Sequence, residues 1–420
     1  MSGKPIHEKL KLELFIAHRL LNGSKSRAVS VPIVKIAVAG IALGVCVMLL
    51  SVFIILGFKN EITTKLSGFT AHLNMTAYEN NESYTGNEIE VSDSLVGEVR
   101  RLPGVVQAYT YVTKPAILKS KEEIHGVILK GMDTSYRPDF YTGHLQSGEY
   151  PHYAGEEVSD EVVVSASVAR LLNVGVGDKI TAHFVQDPPR VRVFTVKGIY
   201  DTGFKEYDDI FVLCDMRHLQ RLNGWGKKQV SGMAVEIEDL KEMAGMKERI
   251  ELLLPMDEEN DFYRVATLRE MAPQVFDWLS LLNMNVWIIL ILIVVVAGFN
   301  MVSGLLIFIL DQTSFIGMMK ALGYKNLRLR RLFLWIALGL IGRGMLVGNV
   351  LAILLGGLQS YFRIVKLDAA TYYMDTVPVC MDIFYGLLLN AGVLLVSLLM
   401  LIIPTMLISR IRPIQAIRFE

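Results

Sequence analysis

Four apolar runs in this chain, about Ile36–Phe58, Leu279–Leu310, Leu332–Leu355 and Ile383–Ile408, are each long enough to cross a bilayer, which takes roughly 20 residues. Four spans leave one block, 59–272, large enough to fold around a core of its own, and otherwise only short connections. Charge sorts these pieces into two groups. Lys25, Arg27 and Lys35 precede the first run, and Arg410, Arg412 and Arg418 follow the last. Lys320, Lys325, Arg328, Arg330 and Arg331 sit between the second and third runs with a single acid, Asp311. The positive-inside rule then makes 1–35, 311–331 and 409–420 cytoplasmic, and 59–272 and 356–382 external. Block 59–272 holds 24 Lys/Arg against 34 Asp/Glu, and the remainder 18 against 8, so a net charge of zero conceals two oppositely charged parts.

The spans carry further detail. The first run, 36–58, exceeds the ~7–15 apolar residues of a cleaved leader and has no small-x-small exit before Lys59, so it reads as a retained span. Upstream, Ile6, Leu10, Leu14, Ala17 and Leu21 form a stripe at helical spacing. It suits a helix lying in the cytoplasmic interface or one packed on a partner. From Trp278 to Leu310 the second run would be about 50 Å long as a helix, against about 30 Å of hydrocarbon. Segment 273–310 is therefore expected to be a span with an external stalk; the alternative is a separate short helix over Pro273–Asn285. In the 311–331 segment Phe315, Met318, Met319 and Leu322 are spaced to share one helical face. A cytoplasmic helix held between spans 273–310 and 332–355 is a part for another protein to grip. The last span, 383–408, ends in the basic tail.

Block 59–272 reads as strands near 70–77, 105–113, 231–237 and 262–267 with helices at 92–102 and 239–253. Two such units far apart in sequence combine into a split α+β domain of ferredoxin-like type. Between them, about 135–222, turns such as Gly175-Val-Gly-Asp178, Asp187-Pro-Pro189 and Asp201-Thr-Gly203 punctuate short strands, as in an inserted β-rich subdomain. The fold class is membrane α-helical, with four transmembrane helices and a large external α+β domain.

Chemistry-bearing motifs are few. There is no G-x-x-x-x-G-K-[ST], so ATP hydrolysis by this chain is not expected, and there is no HExxH, CxxC or GxSxG. Gly175-Val-Gly177 lacks the third glycine and context of a dinucleotide loop and reads as a turn. The eight histidines show no i,i+4 pairing; only His144 and His152 fall near one another in a loop, and a metal site is not expected. Three cysteines, Cys46, Cys214 and Cys380, make no disulfide framework and read as packing residues. Arg343 lies about 18 Å into the third span and Asn300 at similar depth in the second. Polar groups at that depth face protein or water, and these two are expected to face each other or a shared partner. Gly40-xxx-Gly44 and Gly344-xxx-Gly348 permit close helix contact, within the chain or between chains.

Several stretches resemble the permease subunits of the bacterial lipoprotein-releasing ABC system, the LolC/LolE group of the FtsX/MacB-type permeases. They are Gly40-Ile-Ala-Leu-Gly44 with Ser51-Val52 and Gly57-Phe58, and Phe299-Asn300-Met-Val302-Ser303. Ile316-Gly-Met-Met-Lys-Ala-Leu-Gly323 is similar to the family's coupling helix, and Ile411-Arg-Pro413 through Glu420 to its tail. Val162–Asp178 and Val196–Gly203 also fit. Asp311-Gln-Thr-Ser departs from the more charged start usual there, and Arg343 from a span usually apolar.

The resemblance implies a permease of the bacterial inner membrane, its large domain periplasmic, paired with a second permease and two copies of a separate ABC ATPase. ATP and Mg would be bound by that ATPase; the resemblance implies no cofactor, metal or nucleic acid for this chain. Coupling to the ATPase would fall on Asp311, Ser314, Phe315, Gly317, Met318, Lys320, Ala321, Leu322 and Gly323. Acyl chains of a lipoprotein substrate, or membrane lipid, would meet Phe53, Ile54, Phe58, Trp278, Leu282 and Met284, for which packing against neighbours is the alternative. A periplasmic lipoprotein carrier is a further implied partner. Rival readings are an FtsX-like regulator of a cell-wall hydrolase, whose external domain is typically much shorter, and a MacB-like efflux permease, which carries its own ATPase domain. A membrane-anchored binding module without an ATPase is disfavoured by the 311–325 segment.

Overall fold

The computed structural model describes residue 15 and residues 30–78, 87–121, 123–153, 157–254 and 263–410. The stripe Ile6–Leu21 and the tail 411–420 lie outside these residues. Helix α1 (Ser30–Thr70) is followed by strands β1 (Leu73–Ala77) and β2 (Ile89–Glu90), helix α2 (Asp93–Arg100), and strands β3 (Val105–Lys119), β4 (Ile124–Met132) and β5 (Leu145–Gly148). Next come β6 (Glu161–Ser165), α3 (Ala166–Leu172), β7 (Lys179–Phe184), β8 (Arg190–Tyr200), β9 (Phe211–Asp215), α4 (Met216–Asn223), β10 (Gln229–Val230) and β11 (Gly232–Ile237). The chain continues through α5 (Met243–Glu251), β12 (Tyr263–Thr267), α6 (Pro273–Asp311), α7 (Thr313–Ala321), α8 (Asn326–Phe362), α9 (Ile383–Met400) and α10 (Ile402–Arg410).

Two compact units result. A membrane unit takes the residues up to Lys59, Leu279–Val365 and those from Val377; a core unit takes Asn60–Trp278 and, from between α8 and α9, Lys366–Thr376.

Among the described residues, four helices are long and apolar enough to cross a bilayer. α6 is a single helix of 39 residues, with no break at Asn285. α1 also outruns its apolar stretch, reaching Thr70, so the segment expected to open a strand near residue 70 is still helical. The spacing of Ile62, Leu66 and Phe69, all buried, marks that extension. The last apolar run is broken at Leu401 between α9 and α10, where Pro404 lacks the N–H an unbroken ladder needs.

In lipid, apolar surface alone does not drive helices together, so close fit and small residues decide which pairs meet. Gly344 and Gly348 of α8 lie against α1. A methyl added at Gly348 would come within 2.6 Å of the Ala42 carbonyl, and one at Gly344 within 2.7 Å of Ile41. Gly40 and Gly44 of α1 turn instead to α6, meeting Asn300, Ile293 and Ala297. Both small-residue pairs are thus used inside this chain.

The core unit begins with strands in the order β12-β1-β11-β3, each antiparallel to its neighbours. α2 lies between β1 and β3 in sequence and α5 between β11 and β12, so the two strand–helix–strand segments interleave. Local chemistry sets the helix ends. Ser92, Ser165 and Asp215 accept from the backbone N–H of Leu95, Val168 and Arg217, and Asn173 and Gly224 close α3 and α4 in the left-handed conformation.

The β-rich part does not form a separate sheet starting at residue 135. It shares β3 and β4 with the first part: β3 pairs β4, β4 pairs β9, and then β6, β8 and β7 follow until β7 returns to β3. These six strands close a ring filled by Leu118, Leu129, Val164, Ile180 and Phe194.

The glycine contacts generate a prediction with its own control. Gly348→Val, which forces α8 away from α1, is expected to destabilise the detergent-solubilised protein by about 1–3 kcal/mol. Gly342→Val, where nothing lies within 4 Å of the added carbon, should leave the thermal midpoint unchanged.

Candidate functional site

Helix α7 lies between the second and third apolar helices. Its backbone continues from α6 with one turn between, Gln312 N donating to Phe308 O and Ile316 N to Gln312 O. Gly323 at φ +85° ends it, a conformation that suits glycine. Lys320 donates from Nζ to the Ile408 carbonyl at 2.7 Å, tying α7 to α10. Gln312 donates to the Asp311 carboxylate at 3.0 Å.

The residues expected to share one face of this helix divide between two. Phe315 and Met319 pack on the core of the membrane unit, beside the buried Ile316 and Gly317. Met318 is 53% exposed and Leu322 78%, and Leu327 beyond the turn is 67% exposed. Ser314, Ala321 and Gly323 are exposed with them. The helix thus seats one apolar face and presents another. The division follows from the 100° step between residues: 315 and 319 share a stripe, and 314, 318, 321 and 322 share the next.

The six residues assigned to acyl chains do not form one open surface. Phe53 and Phe58 are buried. Phe53 O accepts from Cys380 N at 3.0 Å, and its ring lies beside Gly386. Ile54 and Leu282 are half-buried and Met284 exposed. Trp278, in the core unit, meets Tyr373 edge-on at 5.8 Å. Asn300 and Arg343 are both exposed on the single chain, Asn300 beside Gly40.

A polar pair in the spans went unmarked in the sequence reading. Asn349 of α8 and Asn390 of α9 exchange amide hydrogen bonds of 2.8 and 2.9 Å. Each also donates to a carbonyl one turn back, Met345 O and Gly386 O. The signal was present as a lone Asn in each of two apolar runs.

In the core unit Asp208 is buried and accepts from the Thr202 N–H and hydroxyl. Burial pushes its carboxyl up to about 7, against the pull of the Thr202 hydrogen bonds. Lys130, also buried, donates to Phe69 O and lies over the Tyr111 ring; burial pulls it down to about 8. Among the described residues no group of three or more His, Cys, Asp or Glu is arranged to hold a metal.

Four spans, a core domain between the first and second, and a short helix presenting an apolar face between the second and third are the build of a permease of the FtsX/MacB type. Residues 36–253 match the MacB-like periplasmic core domain, and residues 287–413 the FtsX-like permease C-terminal domain. The transmembrane protein LolC of the lipoprotein-releasing system of Neisseria meningitidis is 24% identical, over 97% of this chain and 99% of its own. LolE of the same system in Haemophilus influenzae is 22% identical, over 96% and 98%. The chain belongs to the family of permeases with a MacB-like periplasmic core domain and an FtsX-like C-terminal domain, and its likeness to LolC and LolE runs along nearly its whole length. The periplasmic region of MacB from Actinobacillus actinomycetemcomitans, a solved structure, aligns with a TM-score of 0.35 at 13% identity, covering 51% of this chain and 97% of that one.

Two predictions follow from the polar groups. Asn349→Leu or Asn390→Leu leaves one amide without its partner, and a double-mutant cycle on detergent unfolding is expected to give about 0.6–1.7 kcal/mol of coupling. Asp208 keeps its proton in the fold to about pH 7, whereas the unfolded chain releases it near pH 4. Its contribution is complete below pH ~4 and is lost as pH rises through ~7. Asp208→Asn should therefore flatten the fall in thermal midpoint between pH ~5 and ~8; an unchanged slope would remove Asp208 as its source.

Proposed function

We propose that this chain is the permease subunit of an ABC transporter that uses ATP hydrolysis by a separate ATPase to extract lipoproteins from the outer leaflet of the bacterial inner membrane. The observation that carries this reading is the end-to-end likeness to relatives named as both LolC and LolE of a lipoprotein-releasing system. The exposed face of α7 and the turn after it supply the physical part: Met318, Leu322 and, at the start of α8, Leu327 are apolar, outward and flanked by Lys325 and Arg328. On this reading they insert into a groove of the ATPase, which holds ATP and Mg, while Phe315, Gly317 and Lys320 seat the helix on the membrane unit. Asp311, Ser314, Ala321 and Gly323 complete the contact or the turns that bound it.

Basic residues at 25–35, 320–331 and 410–418 support cytoplasmic termini and a cytoplasmic α7, and the acidic block 59–272 a periplasmic core domain. The strand order β12-β1-β11-β3, with α2 and α5 as crossovers, supports a ferredoxin-like first part in that domain. ATPase closure would push on α7 and move α6 and α8, a mechanical transmission rather than passage through a pore. A second permease, the same or related, would complete the assembly and cover the intramembrane polar side chains Asn300 and Arg343. Met284, Leu282 and Ile54 are the exposed and half-buried members of the expected acyl-chain set. Trp278 is half-buried as well, and the buried Phe53 and Phe58 would join them only after movement of the segments that cover them. A periplasmic carrier would take the released lipoprotein.

The experiment is co-purification from native membranes in mild detergent, comparing wild type with Leu322→Asp, a change on an exposed side chain that leaves the packed face of α7 intact. Wild type is expected to bring down a lone ABC ATPase and lipoproteins, and the variant to lose the ATPase at least tenfold with an unchanged thermal midpoint. Normal lipoprotein sorting in cells depleted of this chain, with disturbed cell-wall hydrolysis, would replace the reading by an FtsX-like regulator.

A further inference from the structure

The connection between α8 and α9 contains a small folded body of its own, Lys366–Thr376. It is closed at its base by an antiparallel bridge between Lys366 and Thr376 and by Leu367 N donating to Asp375 O at 2.8 Å. One helical turn, Ala369–Tyr372, is fastened at its start, where the Thr371 hydroxyl donates to the Asp368 carboxylate at 2.8 Å and Tyr372 N to Asp368 O at 2.9 Å. Although Val365 and Val377 on either side belong to the membrane unit, this body belongs to the core unit.

Its tip is placed with unusual definition. Tyr373 sits at φ +61°, a conformation unfavourable for a bulky side chain and kept only where surroundings enforce it. Its ring meets Phe204 edge-on at 5.2 Å and Trp278 at 5.8 Å. Met374 is 3% exposed. The Asp375 carboxylate and the Lys65 ammonium both lean over Gly203, each 3.3 Å from where its Cβ would be. Gly203 and Phe204 belong to the turn 201–208, held by Asp201, Thr202 and Asp208 through hydrogen bonds to Gly203 N, Phe204 N and Thr202. Phe204 packs in turn on Phe69 near the end of α1. One turn of the core unit thus receives the end of α1 (Lys65, Phe69), the start of α6 (Trp278, through Tyr373) and the loop between α8 and α9.

We propose that Tyr373, Met374 and Asp375 are positioning residues that anchor the α8–α9 connection in the 201–208 turn, and that this anchor stays seated throughout the transport cycle. A pull delivered along α8 and α9 then reaches the core unit at the same turn that α1 and α6 reach. A preformed body with a buried methionine and an enforced backbone suits a fixed anchor; a latch that opens each cycle would expose Met374 and release Tyr373 each time.

The first arm of the test does not depend on the transported substrate. Full-length chain with Met374→Cys is labelled in membranes by a water-soluble maleimide, with and without ATP plus vanadate, beside Lys366→Cys at the exposed base of the loop. Wild type serves as blank for the native cysteines. Labelling of Met374→Cys at least tenfold slower than Lys366→Cys in both conditions is the expected result, and adding Tyr373→Ala should abolish that protection. Equal labelling at the two positions, in either condition, overturns the anchor.

The second arm rests on the proposed transport function. In the complex with its ATPase, Tyr373→Ala should cut lipoprotein release at least tenfold with ATP hydrolysis within twofold of wild type, and Tyr373→Phe should restore release. Release at the wild-type level by Tyr373→Ala overturns the transmission role. If the wild-type complex hydrolyses ATP and releases no lipoprotein, the function reading fails, while the labelling still decides the anchor.

Discussion

The close approach of α1 to two neighbours is the contact on which the membrane unit depends. Helices in lipid gain little from hiding apolar surface, because the tails outside are as apolar as the partner. What remains is fit. α1 offers Gly40 and Gly44 on one side, where α6 brings Asn300, Ile293 and Ala297, and Ile41, Ala42 and Val45 on another, where α8 removes its own side chains at Gly344 and Gly348. With α6 and α8 both held to α1, their ends fix where α7 must lie. The short helix keeps Phe315 and Ile316 against the bundle because the bundle has nowhere else to put them. Its outward face is a consequence of that seating.

Composition along the chain made the membrane unit legible, because twenty-odd apolar residues in succession admit few other structures. The interleaved strands and helices of the first part of the core were legible for a different reason. Ser92 before an amphipathic segment, the β-branched and aromatic residues of Val105–Thr113 and the mostly apolar Gly232–Ile237 are local signals that tertiary contacts did not override. Pairing was not legible. That β3 runs on to Lys119 and serves two sets of neighbours is decided by strands distant in sequence, and no turn or period in 105–119 announces it. The extension of α1 to Thr70 was written in Ile62, Leu66 and Phe69 but hidden by the charged residues among them, Lys59, Glu61 and Lys65.

The candidate site was legible as a segment and not as a surface. Helical spacing identified Phe315, Met318, Met319 and Leu322 as apolar positions, yet two neighbouring stripes are indistinguishable until one is occupied. Phe53 was nominated as an apolar residue near the outer end of its span, and that position does not reveal that Cys380 and Gly386 lie against it. Attention to charge drew Arg343 forward and left Asn349 and Asn390 behind, although two neutral amides can join two spans by exchanging hydrogen bonds.

The sharing of β3 between β11 at its start and β4 and β7 towards its end has a consequence for how the two parts of this unit are joined. β11 pairs with β3 over Val105–Tyr111, β4 over Tyr111–Lys119 and β7 over Ile117–Lys119, so one continuous strand carries both sets of hydrogen bonds. The interleaved part and the strand ring are thus joined through the backbone of a single strand, and opening either one disturbs a strand that the other also uses. A displacement applied to one part of the core therefore reaches the other along the covalent backbone of β3, and not only through side-chain contacts.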